Sequence, residues 1–385
     1  MNDRWKTVLL SVCVWLALLA LAEWAVRVLR PQITFSKLLN RIGNYYAVSP
    51  QNTFELRPNF RGTEPSMEFP GQQVNIRVNA AGLRGMEVEP NSKKILVVGD
   101  SYTFGVYVDD GQTYPAVLER LATAQAPGWQ VLNAGYAAGF ETDQHYAWLT
   151  QNIDKLRPKV VVLGIFLGND IIGIKPSAWQ ALDNVGLPTR WIDRDLVITD
   201  GGLLINTQRG LGTVGAEYIY HVPLLRESHL AVAIGHALDR LFFPQVAEDR
   251  LAAFRHIFGD YSPEFLSREA LFLKLVTGMR DQAQSRGAHF MVVLLPINFM
   301  VQPQLLAKVL PTSPDLAKLP SPYYDRLSLA LATRRIEYVN IDLDMRLDGR
   351  AKFFPVNGEV HFSPLGHQFV AEQLHKRLTA LHWVP

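Results

Sequence analysis

The chain of 385 residues contains a single cysteine, Cys13, so no internal disulfide can form. Its 38 basic and 36 acidic residues nearly balance, and no Lys/Arg run stands out, which argues against a nucleic-acid partner. It has no His-Glu-x-x-His spacing and no glycine-rich phosphate loop, so we expect neither a metal nor a cofactor. Internal repeats and low-complexity segments are also lacking. The remaining composition, 48% hydrophobic and 19% charged, is that of a globular protein with a sizeable core.

One long apolar run lies near the N-terminus, from Thr7 to Ala22, with Trp5 and Trp24 at its ends. At about 1.5 Å per residue the run falls slightly short of a hydrocarbon core of about 30 Å, and the tryptophans extend it to both interfaces. Three interpretations stay open: a single-pass anchor, a signal peptide cleaved after Ala20-Leu21-Ala22, or a buried or interfacial helix. We expect residues 1–30 to anchor the chain in the cell inner membrane, with its bulk on the periplasmic side. Secretion after signal cleavage is the alternative.

The rest of the chain changes character at about residue 93. Residues 31–92 are rich in Pro, Asn and Gly and predict a β-leaning lead-in that packs on the core. From 93 to 385, short apolar runs alternate with helical spacing, which predicts a parallel sheet covered on both faces. The regularity breaks at about 176–262, where we expect an inserted cap. Predicted strands are 95–98, 129–133, 160–166, 289–295 and 338–341; predicted helices begin near 114, 143, 263, 324 and 364.

The most specific motif is Gly99-Asp100-Ser101, directly after the first apolar strand. A serine just past the carboxyl end of a parallel strand lies where α/β sheets place their sites. The adjoining glycines allow a sharp turn, and the following helix directs N–H groups toward the same place. Ser101 is therefore a candidate nucleophile, although a serine here can also serve only as a helix cap.

Three further motifs fall at the ends of later elements: Asn133-Ala134-Gly135, Gly168-Asn169-Asp170 and the segment that begins at His361, before the last helix. Acyl transfer needs a nucleophile, a base, a group that orients the base, and donors for the oxyanion. Ser101, His361 and the Gly135/Asn169 pair match three of these needs. His367, Asp100 and Asp170 fit structural roles better.

In these four motifs the chain resembles the SGNH, or GDSL-like, esterase, lipase and acyltransferase superfamily, over roughly residues 93–175 and 260–380. The resemblance implies a three-layer α/β/α sandwich with a mostly parallel central sheet. It implies Ser101 as nucleophile and His361 as base. It also implies an oxyanion hole made by the Ser101 and Gly135 N–H groups and the Asn169 side-chain amide.

One position departs from the family pattern. The residue three before His361, usually Asp, is Gly358, whereas Glu359 lies two before it. We expect Glu359 to be the third catalytic member. A Ser–His dyad assisted by a backbone carbonyl is the alternative, and a weakened or inactive enzyme is a third.

The predicted function is serine-dependent ester hydrolysis or O-acyl transfer, with acetyl as the expected group. Membrane-tethered relatives that acylate surface polysaccharides carry a motif like Asn79-Ala80-Ala81-Gly82-Leu83-Arg84. The expected substrate is thus an acyl ester, possibly on an envelope polysaccharide. Aromatic residues of the insertion, Trp179, Trp191 and Tyr218, could stack on a sugar or pack a cap, and Trp191 lies close to Asp193 and Arg194. A silent carbohydrate-binding scaffold is the alternative.

Overall fold

The computed structural model of the protein describes residues 3–32, 34–36, 44–66, 71–137, 140–198, 204–206, 219, 222–242, 254–305, 321–348, 352–355 and 360–385. Its helices are α1 (Asp3–Leu29), α2 (Ser101–Phe104), α3 (Tyr114–Gln125), α4 (Thr142–Leu156), α5 (His229–Phe242), α6 (Pro263–Ser285), α7 (Asn298–Val301), α8 (Pro322–Thr333), α9 (Ile341–Asp348) and α10 (Pro364–Ala380). Its strands are β1 (Tyr46–Ser49), β2 (Thr53–Leu56), β3 (Arg61–Pro65), β4 (Gln73–Arg77), β5 (Lys93–Gly99), β6 (Trp129–Gly135), β7 (Val160–Phe166), β8 (Trp179–Leu182), β9 (Pro188–Trp191), β10 (Leu196–Ile198), β11 (Leu204–Asn206), β12 (His289–Leu295) and β13 (Glu337–Asn340).

The chain divides into two compact units, which we describe separately. The smaller comprises residues 1–44 and 195–247, and the larger comprises residues 45–194 and 248–385. The first part of the predicted cap, through Arg194, therefore belongs to the larger unit together with the lead-in from Tyr45 onward.

The larger unit is built on five strands in the order β13-β12-β7-β5-β6, all parallel. Strands β5 and β7 lie inside the sheet, and every residue of β7 is buried. Because helices cover both faces of the sheet, the side chains on both sides of these strands are buried, which accounts for their unbroken apolar runs. The predicted parallel sheet and its strands are confirmed.

The helices fall on both faces because of the strand order. The chain steps from β5 outward to β6 through α3, and then back past β5 to β7 through α4. Since such crossovers are right-handed, opposite steps place α3 and α4 on opposite faces. Helix α3 packs against α10, and α4 packs against α6. The result is the predicted three-layer sandwich.

The lead-in forms two hairpins, β1–β2 and β3–β4, and then a turn built by Asn79. The Asn79 side-chain oxygen accepts the N–H groups of Ala81 and Leu83, and Gly82 adopts a left-handed φ of 75°. The turn returns the chain to the sheet, where the Arg84 N–H donates to the Asn133 carbonyl at 3.1 Å. The lead-in thereby covers part of the exposed edge of β6.

In the smaller unit, α1 is long and apolar enough to cross a membrane. The apolar window of this helix has no residue buried inside the protein. Helix α1 contacts α5, and Glu23 in its C-terminal part accepts hydrogen bonds from the start of α5. Strands β10 and β11 of this unit form a short antiparallel pair.

Candidate active site

Ser101 is the first residue of the one-turn helix α2, directly after β5. Asp100 caps this turn, since its side chain accepts the Tyr102 N–H at 3.0 Å. The Ser101 N–H, at the first helical position, has no acceptor within the helix. The serine side chain is partly exposed, whereas the three residues that follow it in α2 are buried. The fold thus presents Ser101 on a rigid turn at the carboxyl edge of the sheet.

Glycines allow α2 to sit this close to the sheet. A Cβ on Gly99 would lie 2.1 Å from the Thr103 hydroxyl oxygen, and one on Gly135 would lie 2.1 Å from the Phe104 backbone nitrogen. Both distances are far below contact distance. The glycine of the second motif is therefore required for packing against the nucleophile turn.

Arg84, from the lead-in, holds the other end of this turn. Its side chain is 1% exposed and donates to the carbonyl oxygens of Phe104, Gly105 and Val108. It also pairs with Asp110 at 3.0 Å. The arginine of the lead-in motif thus satisfies several carbonyls behind the nucleophile, a role that its sequence position alone does not reveal.

His361 reaches the nucleophile from the loop before α10. Its Nε2 lies 2.9 Å from the Ser101 Oγ, within hydrogen-bond distance. The Tyr102 hydroxyl donates to the Val360 carbonyl, and its ring lies 5.3 Å from the His361 ring. On another side, the Tyr107 ring meets His361 edge-on at 5.9 Å. The residue after the nucleophile therefore helps to position the base.

Asn169 follows β7 and is partly exposed. Its Nδ2 donates to the two carboxylate oxygens of Glu141 at 3.1 and 3.0 Å. Glu141 precedes α4 and caps it. The same nitrogen also lies 3.5 Å from the Asp170 Oδ1. Because an amide nitrogen carries two hydrogens, one can engage Glu141 while the other turns from Asp170 to a ligand.

Gly135 places its backbone amide differently from the role that the family resemblance implies. Its N–H donates to the Asn133 side-chain oxygen at 2.9 Å. In this conformation the N–H is already paired, so an oxyanion would have to displace Asn133. Gly135 serves the site here through its close contact with α2, and its oxyanion role stays a prediction.

Two buried carboxyl groups lie beneath the nucleophile turn. Burial raises the pKa of Asp100 to about 6, against the hydrogen bond from the Tyr102 N–H and the charge of His361. Its Oδ2 has no hydrogen-bond partner among the described residues. Burial raises the pKa of Asp170 well above its usual range, and the charges of Asp100 and Glu141 raise it further. Both serve local structure, since Asp170 also accepts the Phe166 N–H at 2.8 Å.

A third buried carboxyl, Glu64 of β3, was not anticipated from the sequence. It is 2% exposed, and burial raises its pKa. A hydrogen bond with Tyr45, the charge of Arg84, the Tyr107 N–H and the charge of His361 act in the opposite direction. The lead-in therefore contributes an acidic group to the electrostatic surroundings of the base.

The expected structural role of His367 is seen in the fold, whereas the acid expected to orient His361 is not described. His367 is 1% exposed and accepts the Tyr114 N–H through Nδ1 at 3.2 Å, which is a structural role. Gly358 and Glu359 lie outside the described residues. The proposal that Glu359 orients His361 therefore stays a prediction.

The aromatic residues of the insertion pack on α4. The fully buried carboxylate oxygen of Asp143 accepts the indole N–H groups of Trp179 at 2.7 Å and of Trp191 at 3.0 Å. Trp191 is only 3% exposed, and Asp193 pairs with Lys175 at 2.8 Å. Their mixture of aromatic and charged groups is thus internal structure and offers no support for a sugar site. Tyr218 lies outside the described residues.

Comparison with known proteins gives only distant neighbours. No family model matches the chain, and no curated protein matches it. Among solved structures, TesA is 13% identical, with 75% of this chain and 99% of that chain covered and a TM-score of 0.39. A lipase/acylhydrolase from Enterococcus faecalis is 14% identical, with coverage of 75% and 96% and a TM-score of 0.37. AlinE4, an SGNH-hydrolase family esterase, is 14% identical, with coverage of 76% and 94% and a TM-score of 0.33.

Of these three, AlinE4 is the one described as a member of the SGNH-hydrolase family. At such low TM-scores these likenesses say nothing about the activity of this chain.

Proposed function

We propose that the protein is a serine-dependent esterase or O-acyltransferase that works through an acyl-enzyme on Ser101. The observation that carries this proposal is the 2.9 Å separation of Ser101 Oγ and His361 Nε2. As the hydroxyl attacks an ester carbonyl, Nε2 takes its proton. The protonated imidazole then gives that proton to the departing alkoxide oxygen, and the acyl group stays on Ser101. Water or a sugar hydroxyl, deprotonated by His361, releases it.

The oxyanion of each tetrahedral intermediate needs donors in place before the reaction. The Ser101 N–H and the second hydrogen of the Asn169 amide are our candidates, with the Gly135 N–H as a third if Asn133 gives way. Glu141 supports this role because it accepts one Asn169 hydrogen and so restricts rotation of the amide.

The acid that orients His361 is Glu359 in our proposal. Its spacing before the base and its carboxylate support that assignment. Glu64 and Asp100 are close enough to His361 for their charges to interact with it.

For the substrate, we propose an acylated, or to-be-acylated, carbohydrate on the periplasmic side of the inner membrane. The apolar helix α1 supports this location, because it is long and apolar enough to cross a membrane. The lead-in motif is the second support. Acetyl is the proposed acyl group, since neither the lead-in motif nor α1 indicates a long acyl chain.

The test compares three reactions of the purified full chain: release of acetate from an acetylated oligosaccharide, release of long-chain acids from a lipid emulsion, and transfer of acetyl from an aryl acetate to a sugar. We expect action on the carbohydrate in one of the two directions. Efficient long-chain release without either carbohydrate reaction would overturn the proposed substrate and leave the ester chemistry intact. Equal rates for Ser101→Ala and the parent chain would overturn the chemistry itself.

A further inference from the structure

The last turns of α1 carry a carboxylate that caps another helix. Glu23 accepts the hydroxyl of Ser228 at 2.8 Å, the N–H of His229 at 3.1 Å and the N–H of Leu230 at 2.8 Å. These donors form the start of α5, whose first N–H groups have no intrahelical acceptor. A negative charge at this end is also favourable for the helix dipole. Glu23 is thus fitted to the N-terminus of α5.

Neighbouring contacts extend this docking. The Gln32 N–H donates to the His229 Nδ1 at 2.8 Å, and the Phe35 N–H donates to the Arg226 carbonyl at 2.9 Å. Ser36 donates to the Glu227 carboxylate through its N–H and its hydroxyl, at 3.0 and 2.7 Å. These hydrogen bonds therefore join residues 23–32 and 34–36 to residues 226–230, although nearly two hundred residues separate the two segments.

One side of α5 is exposed and apolar. Val232 is completely buried, whereas Ile234, Leu238 and Leu241 are 50%, 40% and 70% exposed. Their i, i+4, i+7 spacing puts these three on one side of the helix. Just before α5, Leu224 is 92% exposed and Leu225 is 44% exposed. We call these five residues the α5 face.

The depth at which the α5 face would meet a membrane follows from its attachment to α1. The apolar window of α1 has no buried residue. The uncharged run Thr7–Ala22 ends directly before Glu23, which contacts the start of α5. Trp24, Arg27 and Arg30 lie next to that junction and are exposed. Tryptophan and arginine at the end of an apolar span are typical of the lipid headgroup region. The start of α5, which Glu23 contacts, therefore lies at the depth at which headgroups begin.

We propose that α1 is kept in the mature protein as an anchor and that the α5 face lies on the bilayer that α1 spans, held there by Glu23. The ligand of the face is the lipid headgroup and upper acyl region. Several leucine-sized side chains next to arginines fit such an interface. This proposal is independent of the chemistry at Ser101.

A fluorescence experiment on the full chain tests the lipid contact. In a Cys13→Ser background, Leu238→Cys carries an environment-sensitive label, and Leu329→Cys, 69% exposed on α8, is the matched control. Both proteins are reconstituted into phosphatidylcholine/phosphatidylglycerol vesicles that contain lipids brominated near the headgroup. We expect at least threefold stronger quenching at 238 than at 329. Equal, weak quenching at both positions overturns the proposal, and so does a label at 238 that is shielded from aqueous iodide but not quenched by lipid, since a protein partner would then cover the face.

A second variant tests the clamp. Glu23→Ala should lower the lipid quenching at 238 at least twofold while the chain stays with the membrane, because α1 still spans it. Glu264→Ala, which changes an exposed glutamate in the first turn of α6, is the matched control and should leave the quenching unchanged. If Leu238→Cys does not fold, Ile234→Cys takes its place. Unchanged quenching in Glu23→Ala overturns the clamp, and a mature chain that begins at Glu23 overturns the retained anchor.

Discussion

The amide nitrogen of Asn169 lies within hydrogen-bond distance of both carboxylate oxygens of Glu141, at 3.1 and 3.0 Å. Asn169 follows β7 and Glu141 precedes α4, so the contact joins two loops at the carboxyl edge of the sheet. In our proposal the carboxylate sets the direction of the amide. Glu141 is then a positioning residue, since it acts on the reaction through Asn169.

If Glu141 acts through Asn169, the effects of changing these two residues on kcat should not be independent. Asn169→Ala should lower kcat by roughly 10²–10³, the cost of one oxyanion donor. Glu141→Gln should lower kcat by about tenfold, because a neutral amide holds the Asn169 amide less firmly than a charged acceptor. In the double variant the loss should match that of Asn169→Ala alone. Steady-state kinetics with an aryl acetate measures all three.

Glu264→Gln, which changes a glutamate on the exposed start of α6, is the matched control and should leave kcat unchanged. Multiplicative losses in the double variant would contradict the prediction, since Glu141 would then act apart from Asn169.

The second prediction concerns the acid behind His361. Glu359→Gln should lower kcat/KM by about 10²–10⁴, because the imidazole loses the group that fixes its tautomer and supports its charge. Glu64→Gln should have a smaller effect on rate. Steady-state kinetics with an aryl acetate measures both variants.

Comparison of Glu359→Gln with Glu64→Gln distinguishes the third catalytic member from a nearby acidic residue. A loss below about threefold in Glu359→Gln would contradict its assignment as the third member and favour the dyad. A loss in Glu64→Gln as large as the loss in Glu359→Gln would contradict this division of roles.

A third prediction follows from the burial of Arg84. Arg84→Met should lower the free energy of unfolding by about 3–5 kcal/mol, because it leaves buried carbonyls and Asp110 without their donor. The neighbouring Arg77→Met is the control. Arg77 pairs with the same Asp110 but is 35% exposed, so its loss should cost less than about 1 kcal/mol. Denaturant unfolding measures both, and similar costs for the two variants would contradict the account.

The fourth prediction uses the buried carboxyl of Asp100. Because burial raises its folded pKa from 3.8 to about 6, the unfolded state ionises first as the pH rises. The free energy of unfolding should therefore fall between about pH 4 and pH 6, at a slope of up to about 1.4 kcal/mol per pH unit. Asp100→Asn retains a capping side chain and should reduce this fall. An unchanged pH dependence of unfolding in the variant would contradict it.

The sequence was enough to predict the sheet and the two reacting side chains. Apolar runs such as Val160–Phe166 are unbroken because both faces of their strands are covered, and that burial is legible in the residues themselves. Ser101 and His361 stand beside turn and cap residues that mark strand and helix ends.

Other features depend on contacts between distant segments and leave no local pattern. Glu64 sits in an alternating strand and looks like a surface residue until the fold buries it near His361. The role of Arg84 becomes visible only in the fold, where its side chain donates to the carbonyl oxygens of Phe104 and Val108. In the sequence, Trp191 resembles an aromatic residue that stacks on a sugar. In the fold, its indole N–H donates to the Asp143 carboxylate of α4. In each case the partner is far away in sequence.

The most direct measurement of the central claim is the turnover of a small aryl acetate by the parent chain and by Ser101→Ala, with the mass of the protein recorded during the reaction. We expect the parent chain to gain one acetyl group on the peptide that contains Ser101, and we expect Ser101→Ala to show no turnover and no adduct while it unfolds at the same denaturant concentration. A folded Ser101→Ala that turns over at the parent rate, or an acetyl group on another residue of the parent chain, would contradict the account.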